Sequence, residues 1–263
     1  MNANSDIADN ITIISAVNDP AILQNNLCAS EDIKNGNLKL LTFFDEESAS
    51  IAYNKGIDQT DTDYIAFIHQ DVYLPKRWLS DVQRAISTLE SRDPDWAVLG
   101  VFGITDDSTT IGHVWCSGSG QLFGEPLAEP AQVECADELG LILRRQSGCR
   151  FDPCLPSFHL YGTDIIQSAK LMGLSSYVAD IPVVHNSRPV KTIRGGYSTA
   201  YRYMRKKWRD HLPIPTLIVP ITREWFELEK GVIRIGGTRN DRIRRAVPHT
   251  KDPRIIAKEI GFE

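Results

Sequence analysis

The sequence predicts an α/β fold built on a doubly wound sheet. Two observations carry this. Apolar runs of strand length, most of them rich in β-branched or aromatic residues, recur at residues 11–17, 38–44, 64–68 and 97–102, and segments of helical spacing separate them. The first three runs each end in polar residues: Asn18-Asp19, Asp45-Glu46-Glu47 and His69-Gln70-Asp71. Alternating strands and helices imply parallel strands joined by right-handed crossovers. Ligands of such sheets bind beyond the carboxyl ends of the strands, so the three polar tips are expected to converge on one edge.

The elements follow in order. Residues 11–17 read as a buried strand, stopped by Asn18-Asp19-Pro20. Residues 21–29 read as a helix, with Leu23 and Leu27 four apart. Residues 38–44 make the second strand. Ser48 can then cap a helix to about Asn54, closed by Gly56. Residues 64–68 run straight into His69, and Pro75 opens a helix in which Trp78, Leu79, Val82, Ile86 and Leu89 keep helical spacing. Residues 97–102 make the fourth strand.

The second half is more mixed. Residues 113–124 read as strands and turns around Gly118, Gly120 and Gly124. A strand is expected at 138–145, a helix at 163–172, and a strand at 176–184 that delivers His185. Residues 197–209 read as a basic helix. Pro213, Pro215 and Pro220 break the pattern beyond it, and the remaining stretch is basic without strong periodicity.

The 263 residues suffice for one large domain or a domain with an appended part. The five cysteines are scattered, with no CxxC pair, which argues against a disulfide framework or a structural zinc site. Residues 1–10 are polar and acidic and have neither part of a secretory signal. No apolar run approaches the roughly 20 residues of a membrane helix. The expected location is cytoplasmic, with peripheral contact at a membrane left open. The net charge of −5 hides an asymmetry: residues 1–187 carry 11 Lys/Arg against 26 Asp/Glu, and residues 188–254 carry 17 against 6. Such a split points to a basic surface that meets an anionic partner, or to a solvated face that balances an acidic body. Nucleic acid is disfavoured, because aromatic residues are not interleaved as stacking platforms and no nucleic-acid motif appears. Neither GxxxxGK[ST] nor GxGxxG is present, which removes the usual marks of kinase-like and dinucleotide-binding chains.

Three segments could carry chemistry. In His69-Gln70-Asp71, an imidazole and a carboxylate two residues apart at a strand end can share a divalent cation; alternatively Asp71 only shapes a turn. In Tyr161-Gly162-Thr163-Asp164, Asp164 is either a carboxylate at a helix N-terminus or a general base. His185 ends a β-branched strand, where it can be a third metal ligand or a structural histidine. His159 lies in the segment before Asp164 and can face an acceptor.

Together these residues resemble family-2-like glycosyltransferases of the GT-A fold, including the branch found in antibiotic- and polysaccharide-biosynthesis loci. The resemblance covers roughly residues 11–187. Residues 13–19 resemble the family's opening nucleotide-binding strand, and Ala52, Asn54 and Gly56 resemble its A-x-N-x-G helix. Residues 67–75 resemble the segment that carries the DxD metal motif. Residues 161–164 resemble the segment with the acidic acceptor base, and His185 resembles the late histidine of the metal site.

The resemblance implies a GT-A, Rossmann-like mixed sheet flanked by helices: a catalytic domain over 1–187 and a basic C-terminal extension over 188–263. It implies a metal-dependent, inverting transfer from a nucleotide-diphosphate sugar to an acceptor hydroxyl. UDP is the default nucleotide, with GDP and dTDP open. Ala16, Asn18 and Asp45 or Glu46 would lie near the nucleotide, Asn54 would support the donor pocket, and Gln70 belongs to the same edge. Asp71 and His185, with His69, would hold Mn²⁺ or Mg²⁺, and Asp164 would be the base. Arg194, beside Arg188 and Lys191 on a loop with Gly195-Gly196, would close over the diphosphate. The helix with Arg202, Arg205, Lys206, Lys207 and Arg209, together with Trp208, Trp225 and Phe226, would meet an anionic acceptor or membrane surface.

The chain departs from the family pattern at two places. His69 replaces the first Asp of DxD, which favours Mn²⁺ over Mg²⁺. Tyr161-Gly162 replaces the usual Glu-Asp pair, which makes Asp164 the nearest carboxylate, with Asp137 and Glu138 as fallback. The alternatives are a non-catalytic nucleotide-sugar binder and a nucleotidyltransferase.

Overall fold

The computed structural model describes residues 3–263. Helix α1 (Ala3–Asn10) leads into strand β1 (Ile11–Val17), followed by α2 (Pro20–Asn25), α3 (Glu31–Lys34), β2 (Lys39–Phe44), α4 (Ala49–Asp58) and β3 (Tyr64–Ile68). Then come β4 (Val72–Tyr73), α5 (Trp78–Arg92), β5 (Trp96–Gly100), β6 (Phe102–Ile104), β7 (Thr110–Cys116), β8 (Gln121–Glu125), β9 (Ala131–Gln132), β10 (Cys135–Ala136) and β11 (Gly140–Arg144). The chain continues with α6 (Tyr161–Leu171), β12 (Ser175–Val178), β13 (Val183–His185), α7 (Gly196–Lys207), α8 (Glu227–Gly237), α9 (Arg239–Arg245) and α10 (Pro253–Glu259).

Seven strands form the main sheet, in the order β2-β1-β3-β11-β5-β12-β9. β1 pairs in parallel with β2 and β3, as strand–helix alternation requires. β11 enters antiparallel between β3 and β5, which makes the sheet mixed and separates two strands that alternation alone would set in one parallel run. A second sheet, β10-β6-β7-β13-β4, lies beside it. The single strand expected over 176–184 is two: β12 belongs to the main sheet and β13 to the second. Residues 179–182 cross between them, and Pro182 has no N–H to continue a ladder.

The strands bury both faces. Ile11 and Ile13 of β1, with Ala66 and Ile68 of β3, pack toward α1 and α5. Ile14, Ile65 and Phe67 point the other way, toward α4, α6 and α7. This is the period-two alternation of a sheet covered on two sides. Ser48 caps α4 by accepting from Ile51 N, and the helix runs through Gly56 to Asp58 instead of stopping there. Gly56 is needed for a different reason: a Cβ there would run into the Ile14 side chain, so its absence lets α4 lie down on β1.

The segment after residue 187 contributes to the same cores. Tyr197, Tyr201, Met204 and Trp208 of the α7 region pack in the cluster with Ile14 and Phe67. Ile256, Ala257 and Phe262 close a smaller cluster over Tyr73 and Val184. Trp208 is 3% exposed, so it is a core residue and not part of the expected amphipathic surface.

Candidate active site

Strand ends set the geometry. β3 ends at Ile68, and His69 N–H donates to Leu139 O at 3.1 Å, which fastens the strand tip to the approach of β11. Val72 N–H returns to His69 O at 3.1 Å, closing a tight turn that presents His69 and Asp71 on one side. β13 pairs antiparallel with β4, with His185 opposite Val72, and Asn186 N–H donates to Asp71 O at 2.8 Å. Two short strands therefore bring residues 71 and 185 together.

The result is a three-residue cluster. The ligand atoms of His69, Asp71 and His185 all lie within 4.8 Å of one another. His185 Nε2 stands 3.4 Å from Asp71 Oδ2, and His69 Nδ1 stands 4.0 Å from Asp71 Oδ1. Burial opposes ionisation of Asp71, but the two imidazoles outweigh it and hold the carboxyl at about 2. Burial also opposes charging His185, yet Asp71 raises its pKa well above the ordinary histidine value. Burial, with His185 adding to it, lowers that of His69.

Tyr161 decides the tautomer of His69. Its hydroxyl proton is donated to Glu138 O at 2.9 Å, so toward His69 Nε2, 2.8 Å away, it can only accept. Nε2 therefore carries the ring proton, and the Nδ1 lone pair faces Asp71. A neutral imidazole with its lone pair toward a carboxylate and a second imidazole is a fitting donor set for a divalent cation, and the two nitrogens favour Mn²⁺ over the oxygen-seeking Mg²⁺.

A cleft opens beside this cluster. Ala16, Asn18, His69, Gln70 and Asp71 line one cleft, with Val17, Tyr53 and Phe158. Gln70 Oε1 accepts from both Asn18 N and Asp19 N at 3.1 Å, and its Nε2 donates to Asn18 Oδ1 at 2.5 Å. Asp45, in the left-handed region at φ 54°, donates its N–H to Val17 O at 3.3 Å, so the third strand tip also reaches this edge. The expected convergence is met. Glu46 is taken up by Lys55 at 2.7 Å.

Three expected site residues are engaged with protein partners. Asp164 is 1% exposed; Lys207 Nζ pairs with it at 2.7 Å and Trp208 Nε1 donates to it at 2.8 Å, so both its oxygens are spent inside the core. It is a structural anchor between α6 and α7, not a base that an acceptor can reach. Lys207 likewise faces inward, toward Asp164 and Asp152. Asn54 uses its amide on the backbone of Phe151, donating to its O at 2.8 Å and accepting from its N at 3.1 Å; it holds the loop behind the cleft. Arg194 is exposed and ion-paired with Glu229 at 3.2 Å.

Two residues belong to the site without having been picked out by the sequence. Tyr161 sets the His69 proton. Cys116, opposite His185 in the β7–β13 register, resists the cost of burial and is lowered to about 6 by its hydrogen bond to His185. Glu138, a fallback in the sequence, is raised to about 8, first by burial and then by Asp137. Its carboxylate also bonds the backbone of Leu160 at the start of α6. His159 is depressed by burial and by the neighbouring His69, and its ring meets Tyr197 at 5.7 Å.

Fold and site together define an α/β protein in which a mixed sheet lies between helical layers and a metal-suited turn follows a central strand end. Residues 24–145 match the model of Glycosyl transferase family 2. A curated relative, described as ATP synthase subunits region ORF 6 of Fuscovulum blasticum, is 32% identical over 159 residues, which cover 57% of this chain and 61% of the relative. The chain is also similar in shape to a mannosyltransferase from Pyrobaculum calidifontis in complex with GDP-Man and Mn²⁺, at 8% identity and TM-score 0.47, covering 96% of this chain and 80% of that one. A similar match is TarS of S. aureus, at 12% identity and TM-score 0.48, covering 78% of this chain and 40% of that one.

Proposed function

We propose that this chain transfers a sugar from a nucleotide-diphosphate donor to an acceptor hydroxyl, with inversion at the anomeric carbon. The observation that carries the reading is the His69–Asp71–His185 cluster beside the Asn18–Gln70 cleft. These three residues would hold Mn²⁺ or Mg²⁺, which when bound neutralises charge on a diphosphate leaving group. Asn18 and Gln70 offer amide groups at the nucleotide side of the cleft, and Tyr53 and Phe158 offer ring surface. UDP is the default donor nucleotide, with GDP and dTDP as alternatives.

The base is assigned to Glu138. Asp164 has no free oxygen, and Gly162 has no side chain, yet Glu138 reaches the N-terminal end of α6 from the neighbouring strand connection. In the transfer, the acceptor hydroxyl gives its proton to the Glu138 carboxylate. Its oxygen bonds to the anomeric carbon, and the bond from that carbon to the diphosphate breaks, with the electron pair leaving on the diphosphate. Burial that raises the Glu138 carboxyl makes it a better proton acceptor once ionised.

Calorimetric titration of UDP, GDP and dTDP, with and without Mn²⁺, tests the site. Selective, Mn²⁺-dependent binding that vanishes in Asp71→Ala is expected. No binding of any nucleotide would sink the assignment. A second reading, a nucleotide-sugar binder without turnover, draws on Gly162 and the enclosed Asp164; donor binding without hydrolysis or transfer would select it.

A further inference from the structure

The strongest feature outside this site is a groove of about 780 Å³ on the outer face of α7. Arg202, Arg205 and Arg209 succeed one another at helical spacing along one wall, joined by Lys206, while Arg223 and Trp225 line it from the segment before α8. The acidic residues in the groove are Asp210 and Glu229, and both are spent: Asp210 on Arg209 at 3.3 Å, Glu229 on Arg194 at 3.2 Å. Among the described residues, Arg202, Arg205, Lys206 and Arg223 have no carboxylate within ion-pair distance. Four cations without a close carboxylate converge on one concavity, and such a cleft concentrates anions from solution. Trp225 is 72% exposed at the rim and offers a ring face.

The groove is connected to the active site through α7. That helix begins at Gly196, packed against Ser157 and His159 on the catalytic side. At a rise of about 1.5 Å per residue, Arg202 stands about 9 Å and Arg205 about 14 Å further along the axis. An elongated ligand lying on α7 would thus put one end near His159 and its charges against the arginines.

We propose that this groove binds the acceptor, and that the acceptor is a chain carrying several phosphate groups, held by Arg202, Arg205 and Arg223 beyond the reacting hydroxyl. The inference rests on the transferase reading for the word acceptor, but not for the anion site. Guanidinium forks match phosphate oxygens in pairs, which is why arginine and not lysine dominates the wall. The concavity favours a chain over a membrane: a bilayer surface is broad and cannot enter a groove.

The probe is inorganic tripolyphosphate, titrated into the metal-free protein. Binding is expected, weakened at least about tenfold in Arg202→Ala/Arg205→Ala, the loss of one or two charge-assisted contacts. Asp71→Ala should bind tripolyphosphate as the unaltered chain does, and the double variant should keep Mn²⁺-dependent nucleotide binding. Absence of tripolyphosphate binding would overturn the proposal, as would equal weakening by Asp71→Ala, which would put the probe in the donor cleft. Vesicles of phosphatidylglycerol are the last arm: retention on them through the same arginines, without tripolyphosphate binding, would overturn the proposal in favour of a membrane surface. If nucleotide fails to bind while tripolyphosphate binds through these arginines, the transferase reading falls and the polyanion site stands.

Discussion

A Cβ on Gly162 would lie 3.4 Å from Cγ of Glu138, so the Glu138 arm already fills the room that a side chain at position 162 would enter. The same Cβ would also meet Ala136 O at 2.7 Å, a backbone atom that cannot step aside. Helix α6 therefore lies close against the β10–β11 connection, which brings the Glu138 side chain to the first turn of that helix.

If Glu138 takes the acceptor proton, Glu138→Gln should lower the transfer rate about 10²–10⁴-fold, the usual weight of a general base. Mn²⁺-dependent nucleotide binding should stay within error of the unaltered chain. Rates of sugar transfer measured at saturating donor check this, and an undiminished rate in the variant removes Glu138 from the chemistry.

The same carboxyl makes a prediction about pH. Its folded value, about 8, lies above the ordinary 4.5, so the folded state binds the proton more tightly than the unfolded one. Stability of the metal-free protein should then fall as pH rises from about 4.5 to about 8, because ionising the buried group costs more in the folded chain. Urea midpoints across that range should flatten in Glu138→Gln. A variant with the same slope as the unaltered chain would put the dependence elsewhere.

Metal binding should release a proton. Without metal, His185 is held charged by Asp71, and a ligating imidazole must be neutral. Adding Mn²⁺ in weak buffer at neutral pH should therefore acidify the solution, and apparent affinity should rise with pH. His185→Ala should lose both effects. Mn²⁺ uptake with no proton release would show that His185 is not the ligand.

Asp164 predicts a loss of stability rather than of catalysis. Asp164→Ala leaves Trp208 Nε1 without its acceptor and removes one of the two carboxylates on Lys207. The expected cost is roughly 3 kcal/mol, the scale for breaking a buried pair. Denaturation should report it, and nucleotide binding at a temperature where the variant is folded should not. A stable variant that binds donor but fails to transfer would restore Asp164 as the base.

Gly162→Ala should be destabilising by about 1–3 kcal/mol, as for other side chains forced into filled space. A melting temperature equal to that of the unaltered chain would mean that α6 can shift away from Ala136.

Much of the frame was legible because its signals are local. Runs such as Ile11 to Val17 and Tyr64 to Ile68 form strands by composition alone, and their polar tips meet because the strands are parallel. The place of β11 was not legible: antiparallel insertion between β3 and β5 depends on pairing across tens of residues, which no local pattern records. The burial of Asp164 is not legible locally because its partners lie 43 and 44 residues onward, at the end of a helix whose many charges suggest a solvent face. A signal was there: Tyr197, Tyr201, Met204 and Trp208 recur at intervals of four, three and four, which is a buried stripe. Tyr161 stood in the family's motif as a departure, and only its hydrogen bonds to His69 and Glu138 reveal what it does.

Gln70 sits between His69 and Asp71, and its amide makes three hydrogen bonds to the tip of β1. Asn18 thus spends its side-chain oxygen on Gln70, and its Nδ2 is not part of that latch. A ligand group that takes hold of Asn18 Oδ1 must swap one hydrogen bond for another, and such an exchange adds little affinity. What it does add is communication: a ligand group at that oxygen would release Gln70 Nε2 from the β1 tip and so reach the turn that carries Asp71, letting occupancy of one half of the cleft be felt in the other.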